Sequence, residues 1–153
     1  MTQYSDLSDI VLNACKDVTV ATVAGISAVD WAANHVFSGI QGNIRGMNRG
    51  RLPYVYFYRN TSEYIHEVTS STRGGTLTTS WSIVICAGTA SRSGDDKSEE
   101  TIWKIYEKIV KKLRSNWAFQ QGSETTTDIV PFPFGYQMTL TITSINTYDD
   151  STK

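Results

Sequence analysis

The sequence predicts an α+β fold, a mostly antiparallel β-sheet with helices packed on one face. Three stretches carry this prediction: an amphipathic helical pattern at 97–114, a pair of β-rich stretches within 64–87, and a regularly alternating pattern at 136–148. Helical and strand signals follow one another as helix, strands, helix, strands. This order is typical of α+β domains.

Composition indicates one globular domain. Hydrophobic residues make up 40% and charged residues 19% of the 153-residue chain, enough apolar material for a single core. We expect one domain over 1–153, with a helical part and a glycine-rich loop in 1–50 and the sheet with its helix in 51–148. The formal net charge of -1 argues against a globally basic nucleic-acid-binding protein.

The first predicted element is a helix that begins near Ser5 or Asp6. Its apolar residues recur at helical spacing: Leu7, Ile10, Val11 and Ala14. The next stretch, 18–35, mixes β-branched residues with alanine and glycine, and is compatible with a strand or a continuing helix. We expect a break at Gly25 and a short helix over about 29–37.

Residues 38–50 contain four glycines and two asparagines, a composition typical of a long loop. Long loops in compact domains commonly carry function, because ordering them costs conformational entropy. Arginines cluster on and after this loop and in a predicted hairpin tip: Arg45, Arg49, Arg51 and Arg73. We expect them to contact a protein partner rather than nucleic acid, the alternative being a solvated loop with scattered charges.

Residues 54–58 predict the first strand of the sheet, with Pro53 at its start. Alternation places Val55 and Phe57 on one face, which we expect to be core. The other face carries tyrosines: Tyr54, Tyr56 and Tyr58. An amphipathic tyrosine face suits a covering helix or a protein interface. A stacking platform for single-stranded nucleic acid fits less well, because no basic residue alternates with the aromatic ones.

The clearest element is the helix at 97–114. Asp96 and Glu99 fit a capping box, and the last turn is basic, as the helix dipole favours. The acidic start is therefore interpreted as capping rather than as an acid–base or metal site. One apolar stripe is expected to pack on the sheet: Ile102, Ile105, Tyr106, Ile109 and Leu113.

The remaining strands are predicted from turn chemistry and alternation. Residues 64–71 and 76–87 form a hairpin with its tip at 73–75. Two prolines place the following strand on an edge or in a loop: Pro131 and Pro133. Residues 136–148 alternate between an apolar face and a threonine face, and we expect the apolar face to be buried. The threonine face includes two candidate interface residues, Thr139 and Thr141.

The residue types that could support catalysis form no recognisable motif. Neither His35 nor His66 is accompanied by a nucleophile or an orienting carboxylate in a known catalytic motif, so we expect structural roles for both. Cys15 and Cys86 are expected to be buried free thiols, the alternative being one bridge between them. No glycine-rich or His/Cys spacing predicts a nucleotide or metal site. We expect no catalytic residue, no cofactor and no metal, and hence no enzyme.

The N-terminus has no basic segment followed by an apolar one, and no apolar run approaches the roughly 20 residues that span a bilayer. We expect a soluble protein that is cytoplasmic at synthesis and does not contact a membrane.

The outline resembles the tail terminator (tail completion) proteins of long-tailed bacteriophages. An N-terminal helix and a glycine-rich loop precede a strand at 52–58, which begins with Leu-Pro and continues with apolar residues. A hairpin follows and ends in the apolar strand 76–87. The chain then has a helix at 95–114 with acidic residues at its start, and an alternating strand at 136–148. The likeness covers 50–150 well and the first 50 residues loosely. Members of that family are small α+β domains that assemble into six-membered rings.

This resemblance implies a structural virion protein of the tail or neck, assembled in the host cytoplasm. The homo-oligomeric, hexameric ring would cap the tail tube, end its polymerisation and bind the head-side connector or neck protein. DNA passing through the lumen would make at most transient contact with it. The family has no catalytic residues to carry over. A closed ring needs two different patches on each protomer, and the tyrosine and threonine faces are candidates.

Other functions remain open at this point. Another neck or head–tail connector subunit shares the small size and ring assembly. A ligand-binding domain would use the aromatic patches, and a small hydrolase would need a clustered histidine and carboxylate.

Overall fold

The α+β prediction is confirmed by a computed structural model, which describes residues 3–18, 26–39, 53–68, 73–88, 98–132 and 135–149. Its helices are α1 (Gln3–Lys16), α2 (Ala28–Asn34) and α3 (Ser98–Arg114), the last followed by a 3-10 turn (Trp117–Phe119). Its strands are β1 (Val36–Ser38), β2 (Tyr54–Val68), β3 (Arg73–Gly88), β4 (Glu124–Thr126), β5 (Val130–Phe132) and β6 (Gly135–Asp149).

The described strands form one six-stranded sheet in the order β1-β2-β3-β6-β4, with β5 also paired to β6. β3 lies at the centre and pairs antiparallel with β2 and β6 along almost its whole length. At about 3.3 Å per residue, these three strands are about 50 Å long. β1 is the exception in direction, because it pairs with β2 in parallel.

The helices pack on one face of this sheet, which we call the inner face. The predicted stripe of α3 is confirmed, with four residues fully buried and Tyr106 partly buried. The predicted alternation of β2 and β6 is confirmed too, with Val55 and Phe57 in the core. The inner strand residues that meet the helices are Val55, Phe57, Trp81, Ile83, Ile85, Met138, Leu140 and Ile142.

Two buried tryptophans connect this core through satisfied indole N–H groups. Trp31 on α2 donates to the backbone oxygen of Cys15 at 2.8 Å, and so attaches α2 to α1. Trp81 donates to the hydroxyl of Ser144 at 3.0 Å across the sheet. A buried indole N–H without a hydrogen-bond partner would destabilise the fold, so both bonds help to define the packing.

The helix expected over 29–37 is wrong at its end. It stops at Asn34, and Val36–Ser38 forms β1 beside Val55–Phe57 of β2. The hydroxyl of Ser27 accepts from the backbone N–H of Asp30 and caps the start of the helix. The backbone of this short β-branched and aromatic segment instead bonds to β2, with Val55 N–H donating to the His35 oxygen and Gly39 N–H to the Phe57 oxygen, each at 2.9 Å.

The hairpin expected over 64–87 is also wrong in its extent. The stretches predicted as separate strands at 54–58 and 64–71 form one strand, β2, which continues through the polar residues 59–63. A bulge at Asn60 absorbs one extra residue, and its side-chain amide donates to the Ser82 hydroxyl. The predicted tip at 73–75 lies inside β3, so the chain reverses between Val68 and Arg73.

Several predictions fall outside the described residues. They are the break at Gly25, the Asp96 cap, Pro133 and nearly all of the loop at 38–50. Pro131 lies in β5, a three-residue strand that pairs with residues 135–137 at the start of β6.

Arg114 connects the end of α3 to the segment that follows it. Its guanidinium donates to the backbone oxygens of Phe119 and Gly122 and to the carboxylate of Glu124. The hydroxyl of Tyr106, about two turns before Arg114 on the same helix, donates to the other carboxylate oxygen of Glu124 at 2.7 Å. These bonds position β4 at the edge of the sheet beside β6.

Candidate assembly surfaces

The tyrosines of β2 lie on the outer face of the sheet, opposite the helices. Pairing register places Tyr56, Val84 and Thr139 in one row across β2, β3 and β6. The next row contains Tyr58, Ser82 and Thr141. The structure therefore brings together residues that the sequence predicted separately as two candidate patches, because the Thr face of β6 continues the Tyr face of β2.

The tyrosines form an aromatic row of graded exposure. Ring centroids are 6.4 Å apart between Tyr54 and Tyr56 and 6.5 Å between Tyr56 and Tyr58, and Phe37 meets Tyr54 edge-on at 6.2 Å. Tyr54 is only 5% exposed and Tyr56 only 3%, in a second cluster with Val84 and Cys86. Tyr58 is partly exposed, so it is the member of the row that a partner could reach.

The arginine cluster is placed only in part. Arg45, Arg49 and Arg51 lie outside the described residues. Arg73 lies in β3, opposite Val68, instead of at the hairpin tip.

The far half of β2 presents an open strand edge among the described residues. β1 covers β2 only at Val55–Phe57, whereas β2 continues to Val68. Tyr64 and Ile65 on this part are exposed. An uncovered strand edge is a template for pairing with a strand of another chain. Alternation alone could not reveal this edge, because it depends on which strands lie on either side of β2.

The buried side chain of His35 contacts neighbouring residues of α2 and of the segment that leads into β2. It stacks on Trp31 at 5.7 Å, its Nδ1 lies 2.8 Å from the Pro53 oxygen, and its Nε2 lies 3.4 Å from Asp30. These contacts join α2 to the start of β2. His66 is a residue of β2 opposite Gly75. Among the described residues, no three His, Cys, Asp or Glu side chains come together as a metal site.

Both cysteines are buried free thiols, as predicted. Burial raises the pKa of Cys15 well above its ordinary value. Burial also raises the pKa of Cys86 to about 12, against a smaller lowering by a hydrogen bond with Tyr54. The pKa of Tyr56 rises to about 12, through burial first and then the neighbouring Cys86 and Tyr58.

These raised pKa values predict a loss of stability in alkali. The folded chain keeps protons on Cys86 and Tyr56 at pH values where the unfolded chain releases them, from about pH 9.0 for the thiol and 10.0 for the phenol. The free energy of unfolding should therefore fall as the pH rises from about 9 to about 12. Urea titrations at several pH values measure it. A Cys86→Ala variant should show a shallower fall, and a stability that stays constant to pH 11 would contradict the prediction.

Comparison of the chain with known protein-family models and with curated protein sequences finds no match. No described helix is both long enough and apolar enough to cross a membrane.

Proposed function

We propose that the chain is a tail terminator subunit of a long-tailed bacteriophage. In this proposal a ring of six copies caps the tail tube, ends its polymerisation and joins the tail to the head-side connector. The observation that carries it is the division of the sheet into a helix-covered inner face and an outer face that no described helix covers. A subunit whose sheet presents a broad face and an open strand edge is suited to packing against neighbours.

A ring requires head-to-tail contacts between two different patches of each protomer. The open edge of β2 near Tyr64 and the outer rows around Tyr58 and Thr141 are different surfaces of the same sheet. The two outer rows contain no charged residue, so a neighbour can cover them without burying unpaired charges. The far half of β2 carries charged residues that would lie at the rim of such a contact: Arg59, Glu63 and Glu67. The small formal net charge of -1 suits a lumen through which DNA slides without tight phosphate contacts.

Solution mass and microscopy test this proposal together. Six copies of the 17.0 kDa chain have a mass of about 102 kDa, which light scattering after gel filtration resolves from a monomer. Negative-stain images of the protein with tubes of the cognate tail tube protein should show rings at tube ends and shorter tubes. A chain that stays monomeric even with those tubes would refute the proposal. Rings that bind the head-side connector but ignore tube ends would favour a connector subunit instead.

Thr141→Arg is expected to prevent ring assembly while leaving the chain folded. Thr141 is partly exposed in the middle of the outer face, beside Ser82. One chain tolerates a guanidinium there, but a neighbour that packs its strand edge on this face is obstructed. Gel filtration with light scattering measures assembly, and thermal unfolding checks the fold. Gln121→Arg, an exposed position in the turn before β4, is the matched control. Normal assembly of Thr141→Arg would exclude the outer face from the interface.

A further inference from the structure

The three helices border an open groove of about 1020 Å³ with an apolar floor and a basic rim. The floor comes mainly from α2, where Ala32 and Ala33 accompany Val29, which is 81% exposed. Among the residues that the structure describes, the rim has four lysines and one aspartate, a net charge of +3: Lys16, Lys108, Lys111, Lys112 and Asp17. Lys112 and Asp17 form an ion pair at 3.4 Å. We call this surface the basic groove.

The other flank of α3 has the opposite character. Trp103, 38% exposed, lies there between the start of α3 and the segment 126–129, and contacts Tyr106 edge-on at 5.3 Å. The charged residues that line this surface within the described part of the chain are four acids and one lysine, a net charge of -3: Glu99, Glu100, Glu107, Asp128 and Lys104. Lys104 pairs with Glu100 at 2.8 Å. We call this surface the acidic patch.

The two surfaces are complementary in charge and in apolar content. The groove offers +3 around exposed Val29, and the patch offers -3 around exposed Trp103. The two surfaces cannot meet within one chain, because they lie on different flanks of the same helix. The groove faces α1 and α2, whereas the patch faces the segment 126–129 and Tyr136 of β6. Two surfaces placed in this way can meet only between different copies of the chain.

From this complementarity we infer that the acidic patch of one copy docks in the basic groove of the next. Trp103 is the apolar anchor over Val29, and the lysine rim faces the carboxylates. A contact of this kind is heterologous and repeats around a closed ring. The inference rests on the proposed ring, and it adds a second pair of surfaces to the subunit contact, beside the edge of β2 and the outer face of the sheet. Buried aromatic anchors carry most of the affinity in such interfaces, whereas rim charges supply register and partner choice.

Trp103→Ala is expected to weaken self-association about 30-fold, the typical effect of removing a central aromatic anchor. Analytical ultracentrifugation over a concentration series measures it. Trp117→Ala is the matched control, because Trp117 is an exposed tryptophan that lines neither surface. Association of the unsubstituted chain should also weaken as salt rises from 50 to 500 mM. The added salt screens the attraction between the rim charges, because the Debye length is only about 10 Å at 0.1 M and shortens further as salt is added.

Charge reversal gives the sharper test. Lys108→Glu/Lys111→Glu reverses the groove, and Glu107→Lys/Asp128→Lys reverses the patch. Each variant alone should fail to form rings, because its reversed surface meets a native surface of like charge. An equimolar mixture should recover rings, because reversed groove then meets reversed patch and native groove meets native patch in alternation. Circular dichroism confirms that each variant is folded.

The outcomes separate this inference from the proposed function. Rings that form normally with both reversed variants overturn the inference and leave the tail terminator proposal intact. Rings that respond as expected but neither bind nor shorten tubes support the inference and refute the tail terminator proposal. If the groove lysines affect only binding to anionic phospholipid vesicles, or only binding to tube subunits, another occupant takes the groove and the inference fails.

Discussion

Phe57→Ala is expected to lower the free energy of unfolding by about 3–5 kcal/mol, the range measured for removing a buried phenylalanine. Phe57 is 2% exposed on the inner face, where it lies between Ser38 of β1 and Ile83 of β3. The neighbouring strands are hydrogen-bonded on both sides and cannot close in on the space that the ring leaves. The lost transfer energy therefore adds to the energy of a cavity.

Urea unfolding followed by tryptophan fluorescence measures this loss. Val130→Ala is a suitable control, because Val130 is an exposed apolar residue of β5 and its truncation should change stability by less than about 0.5 kcal/mol. A loss under about 1 kcal/mol for Phe57→Ala would mean that the inner face is not packed as described.

Tyr56→Ser is expected to destabilise the isolated chain by about 3 kcal/mol or more. Tyr56 is 3% exposed between the rings of Tyr54 and Tyr58, and it faces Val84 across the strand pair. Its removal opens a cavity in the outer cluster and leaves a serine hydroxyl in an apolar place. The same denaturation experiment measures the effect.

Tyr58→Ser is the matched comparison, because Tyr58 ends the row and is partly exposed. It should lose less than half as much stability as Tyr56→Ser, and any effect on ring assembly should be clearer with it. Equal losses at the two positions would contradict the graded burial of the row. Tyr58, together with Thr141, is therefore the better probe of an interface on this face.

For the candidate interface residues, the sequence predicts the face of the strand on which each lies but not how deeply it is buried. Alternation correctly put Tyr54, Tyr56 and Tyr58 on one face and Val55 and Phe57 on the other, because neighbouring side chains in any strand point to opposite sides. It could not say that two of the tyrosines are buried, since burial depends on Val84 and Cys86 of a strand about 30 residues away. From the sequence, Lys111 and Lys112 are interpreted as charges that the dipole favours at a helix end, and only the packing of α1 and α2 makes them part of the rim of a groove.

The sequence by itself determined the faces and the main elements of this protein. The stripe of α3 and the apolar side of β6 follow from periods of 3.6 and 2, which are local properties of the backbone. The tertiary structure decided what depends on distant partners: that β2 continues through its polar middle, that Val36–Ser38 is a strand, and that Arg73 lies within β3. Each of these follows from hydrogen bonds to another strand, and no window of neighbouring residues contains that strand.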